Sequence, residues 1–218
     1  MSNLFFETIT KEQKEIFESL PSLEPKGVLG GGTAIALQIG HRKSVDLDVF
    51  LEKEVPKILA SKVNAKFTKF NITPIVDNAN ELTLTVGKTK LTFVCYPFPP
   101  LHKKVKTDSL PIFNTGDLAT NKAYTIGRRG SYKDYVDLYF LLRERRTTLG
   151  KVIEEAQKRF SGNFSEKLFL QQLTYMDDIT DFAIDFLPEK KVTPEEVGKW
   201  LTNEAKKYTK AKAEGAEG

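Results

Sequence analysis

Two aspartates separated by one residue, Asp46 and Asp48 in Val45-Asp-Leu-Asp-Val-Phe-Leu51, are the sharpest chemical feature of the chain. The stretch alternates apolar and polar residues, a strand signal. In a strand, residues i and i+2 share a face. The two carboxylates therefore stand side by side, while Leu47 and Val49 face the opposite way, into a core. Neighbouring carboxylates repel, a cost that is offset when a cation sits between them. Hard oxygen ligands of this kind suit Mg²⁺ or Mn²⁺. The plainer alternative is a half-exposed strand with a polar face.

Gly30-Gly31-Gly32-Thr33 is the second feature. Glycines let backbone approach a ligand closely, and the start of a following helix offers free N–H groups to phosphate. The Gly-Lys-Ser/Thr ending of a P-loop is absent, and Gly-x-Gly-x-x-Gly does not match. A glycine run alone is also consistent with a tight turn. The spacing favours the chemical reading. Thr33 precedes Asp46 by 13 residues, room for one short helix and a return into the neighbouring strand. The glycine turn and the aspartate pair can then face one pocket, phosphate at the helix start and metal on the strand. His41-Arg42-Lys43-Ser44 adds positive charge at its edge.

The stretch Gly31-Gly-Thr-Ala-Ile-Ala-Leu-Gln-Ile-Gly-His-Arg-Lys-Ser-Val-Asp-Leu-Asp-Val-Phe50 resembles the first motif of the AbiEii/AbiGii-type nucleotidyltransferases. These belong to the DNA polymerase β-like nucleotidyltransferase superfamily, whose signature is Gly-Gly/Ser, about ten residues, then Asp-x-Asp. A second stretch agrees: Asp117-Leu-Ala-Thr-Asn-Lys-Ala-Tyr-Thr-Ile-Gly-Arg-Arg-Gly130, followed by Lys133-Asp134 and Asp137. In that family an acidic residue precedes a lysine, then an arginine follows one helical face along, then a Lys-Asp-x-x-Asp helix. Lys122 and Arg129 are seven apart, which places them on one face of a continuous helix. Two such cations could hold a triphosphate; the alternative is a solvated basic face. Asp134 and Asp137 could orient one of these cations or touch the nucleotide, or equally cap a helix start.

The resemblance implies an α+β fold, a mixed nucleotidyltransferase-like sheet with flanking helices followed by a helical C-terminal part. It implies a metal-dependent transfer of a nucleoside monophosphate from an NTP to an acceptor, with RNA, tRNA in particular, as the acceptor class. Asp46 and Asp48 would hold Mg²⁺ or Mn²⁺, and Asp46, Asp48 and Lys122 would be catalytic. Gly31, Gly32, Thr33, Arg42, Ser44, Lys122, Arg129 and Asp134 would bind the nucleotide. It further implies the toxin of a toxin–antitoxin or phage-defence system, with a cognate antitoxin as partner. One departure stands out. Enzymes of this superfamily commonly carry a third carboxylate on a later strand. The corresponding strand here, Lys90-Leu-Thr-Phe-Val-Cys-Tyr96, has Thr92 at about that place. This leaves two other readings open: a catalytically silent nucleotide- or RNA-binding module, and a transferase for a protein or small-molecule hydroxyl.

These residues need positioning elements. Thr10 to Leu20 reads as a helix capped by Thr10, with Gln13 as capping-box partner. Val28-Leu29 reads as a strand, residues 33–39 and 56–63 as helices, and residues 45–51, 65–72, 81–86 and 90–96 as strands. Gly87-Lys88 is a hairpin turn joining the last two. Beyond Pro97-Phe-Pro-Pro100 helices dominate, at about 117–129, 131–145, 149–160, 165–175 and 193–208. The expected organisation is an α/β core over 1–100, a mainly helical part over 101–210 that completes the site, and a frayed tail over 211–218 with nothing to bury. Val197, Trp200 and Leu201 are expected in the helical core.

Composition limits the alternatives. The 218 residues are 40% apolar and 28% charged, the profile of an ordinary globular chain able to bury a core. No apolar run reaches the roughly 18 residues of a membrane span, and the first residues lack the pattern of a signal peptide. The single cysteine, Cys95, excludes an internal disulfide, and a reducing cytoplasm is the expected compartment. Two histidines do not suit a structural zinc site. Lysine and arginine number 33 against 29 acidic residues, a net +4, which permits an anionic partner without demonstrating one.

Overall fold

The computed structural model describes residues 4–128 and 130–216. The chain divides into two compact units, Met1–Asn114 and Thr115–Gly218.

The first unit is built on a five-stranded mixed sheet of order β1-β2-β5-β4-β3. The strands are β1 (Gly27–Gly30), β2 (Asp46–Leu51), β3 (Ile72–Asp77), β4 (Glu81–Val86) and β5 (Thr89–Cys95). Only β2 and β5 run parallel; the other pairs are antiparallel. Along β2, Leu47, Val49 and Leu51 are buried, and Asp46, Asp48 and Phe50 are half-buried. This is the alternation read from the sequence. Three helices accompany the sheet: α1 (Lys11–Ser19), α2 (Gly31–Ile39) and α3 (Leu59–Lys66). Thr10 caps α1 and forms the expected capping box with Gln13. Residues Thr33 to Leu37 and Ile39 of α2 are all buried. A helix apolar on every side belongs inside a core.

The third strand differs from expectation. Residues 65–72 were expected to be a strand, but α3 runs to Lys66 and β3 begins only at Ile72. Leu59, Val63 and Phe67 are buried at four-residue spacing, so the apolar pattern there is helical. The true strand contains Pro74, which cannot donate to a ladder. It lies at the sheet edge with its register shifting between Pro74 and Val76.

The second unit consists of α4 (Thr115–Ile126), α5 (Tyr132–Arg143), α6 (Leu149–Phe160), α7 (Glu166–Thr174) and α8 (Pro194–Ala216). Tyr135, Val136, Leu138, Leu141, Phe160, Phe169, Val197 and Leu201 form its core. Trp200 is half-buried, and its ring meets the Tyr139 edge at 5.2 Å. Residues 211–216, expected to fray, continue α8. Ala, Lys and Glu are good helix formers and extend an established helix at little cost. Glu217 and Gly218 lie outside the described residues. Among the described residues no helix is long and apolar enough to cross a membrane.

Candidate active site

The site residues of the first unit converge where β1 turns into α2. Gly30 of β1 is the Cα partner of Asp48 on β2, and Asp48 is in turn the partner of Thr92 on β5. Gly31 adopts φ +65°, and a Cβ there would collide with the Asp48 carboxylate. Glycine thus answers both demands of the position: a left-handed backbone and the close approach of an acid. No side chain caps α2, so its first turn presents backbone N–H groups and the positive end of the helix dipole beside that acid.

Thr33 braces this geometry from inside. It is buried, and its hydroxyl lies within hydrogen-bond reach of the Asp46 carbonyl and 2.8 Å from the Ser44 hydroxyl. A carbonyl can only accept, so Thr33 donates to Asp46 and Ser44 donates to Thr33. The Ser44 backbone is tied at both ends: its N–H donates to the Thr8 carbonyl at 2.9 Å, and its carbonyl accepts from Gln13 Nε2 at 2.9 Å. Arg42 is buried and donates to the Lys43 carbonyl at 2.9 Å. Thr33 and Ser44 thus tie the first turn of α2 to the start of β2, and Arg42 lies in the same connecting segment.

Asp46 and Asp48 share one face of β2, both half-buried. Among the described residues, no three His, Cys, Asp or Glu side chains form a ready-made metal cage. Mg²⁺ does not require one. It commonly binds through one or two carboxylates and completes its octahedron with water and substrate phosphates. The pair on β2 fits that requirement.

The second unit holds a buried ionic cluster. Lys122 Nζ on α4 lies 2.6 Å from Asp134 Oδ1 and 2.7 Å from Asp137 Oδ2, both on α5. Asp134 and Asp137 are thus three apart on one helical face, and both engage the lysine. Asp134 Oδ2 is buried with no hydrogen-bond partner among the described residues. Asp117 is spent differently: its carboxylate lies 3.5 Å from Arg159 Nη1, both almost fully buried. The helix expected to reach residue 129 ends at Ile126, and Gly127 and Arg128 form a turn. Arg129 itself lies outside the described residues. Its neighbour Arg128 stacks over the Tyr124 ring at 3.8 Å and donates to the Asn163 carbonyl at 3.0 Å.

Sequence reasoning passed over two residues of the first unit, Thr83 and Glu81 on β4. They continue the polar face of β2 through Thr92. The alternation Glu81-Leu-Thr-Leu-Thr85 was the available signal.

Comparison with known proteins decides the family. Residues 16–203 match the pattern described as the nucleotidyl transferase AbiEii toxin of type IV toxin–antitoxin systems. The chain belongs to the AbiEii nucleotidyltransferase toxin family. An Aquifex aeolicus relative, the uncharacterized protein aq_aa25, is 30% identical, the match covering 92% of this chain and 97% of that one. The fold is shared with the MenT4 nucleotidyltransferase toxin of Mycobacterium tuberculosis at TM-score 0.64 and 12% identity, over 89% of this chain and 80% of that one. It is also shared with JHP933 of Helicobacter pylori at TM-score 0.56 and 18% identity, over 95% and 93%. The AbiEii-type sheet and the helical C-terminal part are thus both present here.

Proposed function

We propose that this AbiEii-family chain transfers a nucleoside monophosphate from an NTP to an RNA hydroxyl, tRNA being the favoured acceptor, with Mg²⁺ or Mn²⁺ as cofactor. The acceptor oxygen attacks the α-phosphorus, the bond to the bridging oxygen breaks, and pyrophosphate leaves. The observation that carries the reading is the Asp46/Asp48 pair on one face of β2, with Asp48 against the glycine turn that opens α2. Asp46 and Asp48 would hold the cation. The chemistry such an ion supplies is neutralisation of charge on the phosphates. Backbone N–H groups at Gly31 and Gly32 donate to phosphate oxygens, and Thr33, Arg42 and Ser44 line the nucleotide-binding edge beside them. Lys122 and Asp134, with Arg129, are assigned to the same reaction through the family resemblance. The toxin role makes a cognate antitoxin the expected protein partner, phage defence the expected setting, and the cytoplasm the expected compartment.

One observation favours a second reading, a binding module without turnover: Thr92 stands beside Asp48 where a third carboxylate is usual. Transfer of label from each of four α-³²P NTPs to total RNA separates the two. A labelled RNA band that needs Mg²⁺ or Mn²⁺ and vanishes in D46A/D48A supports the transferase and identifies the nucleotide. Nucleotide binding by the folded chain, with no labelled product on RNA, protein or small-molecule acceptors, supports the binding module.

A further inference from the structure

The polar face that begins at Asp48 does not stop at Thr92. Strand β5 lies between β2 and β4, and Thr92 is the Cα partner of Asp48 on one side and of Thr83 on the other. The Thr83 and Thr92 hydroxyls lie 3.2 Å apart. The Thr83 hydroxyl also lies 2.6 Å from Glu81 Oε1, two residues along β4 on the same face. Both threonines are buried, at 3% and 8% exposure, so water does not freely reorient them.

Each threonine hydroxyl has one hydrogen and two lone pairs. A carboxylate can only accept, and 2.6 Å is the length of a charge-assisted O–H···O⁻ bond. The single Thr83 proton is therefore committed to Glu81. The bond between the two threonines must then run the other way, with Thr92 donating into the Thr83 oxygen. This turns the Thr92 proton towards β4 and leaves its lone pairs towards β2, where Asp48 stands. Without Glu81, Thr83 could donate to Thr92, and the Thr92 proton would no longer be held towards β4.

We propose that Glu81 acts through Thr83 as a positioning residue that holds Thr92 as a neutral oxygen ligand, completing with Asp46 and Asp48 the site for a divalent cation. The proposal rests on the cation reading above and adds its third oxygen and the group that orients it.

The test is Mn²⁺ binding to the full-length chain, read by electron paramagnetic resonance, with steady-state kcat and KM for the NTP alongside. T92V should weaken Mn²⁺ binding five- to tenfold. E81A and T83V should each weaken it at least threefold, and neither should add to the loss in a T92V background, since all act through one oxygen. E81Q keeps an oxygen that accepts from Thr83 and should stay within twofold of wild type, which a purely structural loss at Glu81 would not predict. The effect should fall on kcat and Mn²⁺ affinity and leave KM for the NTP within twofold. Where T83V lowers the melting temperature strongly, the E81A/E81Q pair at its half-exposed position decides. Unchanged Mn²⁺ affinity in T92V overturns the proposal, as do losses of E81A and T92V that multiply. If D48N abolishes Mn²⁺ binding and T92V does not weaken it, the relay alone falls. If the folded wild type binds no Mn²⁺, the cation reading falls with it.

Discussion

Gly31→Ala separates two roles that the structure gives to one position. At φ +65° an alanine carries the left-handed penalty of about 1–2 kcal/mol. For a chain of this size that corresponds to a loss of about 2–8 °C in melting temperature. The new Cβ would also collide with the Asp48 carboxylate, which must retreat by about an ångström; a misplacement of that order at reacting groups costs on the order of 100-fold in rate. G31A is therefore expected to fold, to melt a few degrees early, and to lose about 100-fold in kcat/KM for nucleotide transfer. The D48A background isolates the collision. With no carboxylate to strike, only the backbone strain remains, so the stability penalty of G31A should shrink by about 1 kcal/mol, a coupling typical of touching residues. Urea unfolding of the four proteins in the cycle measures it. Wild-type kcat/KM in G31A, or an equal stability penalty in both backgrounds, would show that Asp48 is not held against the turn.

The helical unit offers two further tests. Lys122→Ala removes a cation bonded to both Asp134 and Asp137, two buried carboxylates, a loss of about 3–5 kcal/mol by analogy with broken buried pairs; urea unfolding checks it, and a loss below about 1 kcal/mol would mean the acids rehydrate freely. Tyr132 carries a buried hydroxyl with no hydrogen-bond partner among the described residues. Burial, with smaller contributions from Glu196 and Tyr139, pushes its pKa up to about 12 from 10.0. The folded state thus prefers the neutral phenol, so this stability is complete below pH 10 and is lost as pH rises through 12. At about 1.4 kcal/mol per unit, the ceiling is about 3 kcal/mol. Tyr132→Phe should melt no lower than wild type at pH 8 and keep more of its stability at pH 11–12. Parallel alkaline melting curves would refute this.

What the sequence disclosed follows from periodicity. The alternation of Val45–Leu51 placed Asp46 and Asp48 on one face without knowledge of any neighbour, and the structure keeps them there. The Thr10–Gln13 box likewise depends only on local spacing. The misread strand at 65–72 mixed two signals: apolar residues continuing a helical stripe, then an edge strand carrying a proline. The missed pair on β4 is different, because half of it was legible. A two-residue turn at Gly87-Lys88 pairs Val86 with Thr89 and so fixes Thr83 opposite Thr92, since turn length sets hairpin register. The other half, the parallel register of Asp48 with Thr92, depends on a crossover that no local rule specifies. The Lys122 cluster was legible only as a choice. The three-residue spacing of Asp134 and Asp137 put them on one face, but packing of α4 on α5 decided that both would close on the lysine.

The polar face of the sheet also gives a physical reason for Thr92. Asp46 and Asp48 already set two like charges on neighbouring pleats of one strand. A third carboxylate on the adjacent strand, directly opposite Asp48, would add a cross-strand repulsion to the one along β2, which destabilises a sheet whenever the cation is absent. A hydroxyl there supplies an oxygen without the charge. Its weakness is that it can turn its proton towards the cation instead of its lone pairs. Glu81 answers that from two strands away, where its charge is separated from Asp48 by strand β5 and acts through the Thr83 hydroxyl. The arrangement exchanges a direct negative ligand for an oriented neutral one, so the site repels itself less when empty and depends more on the register of the hairpin that orients it.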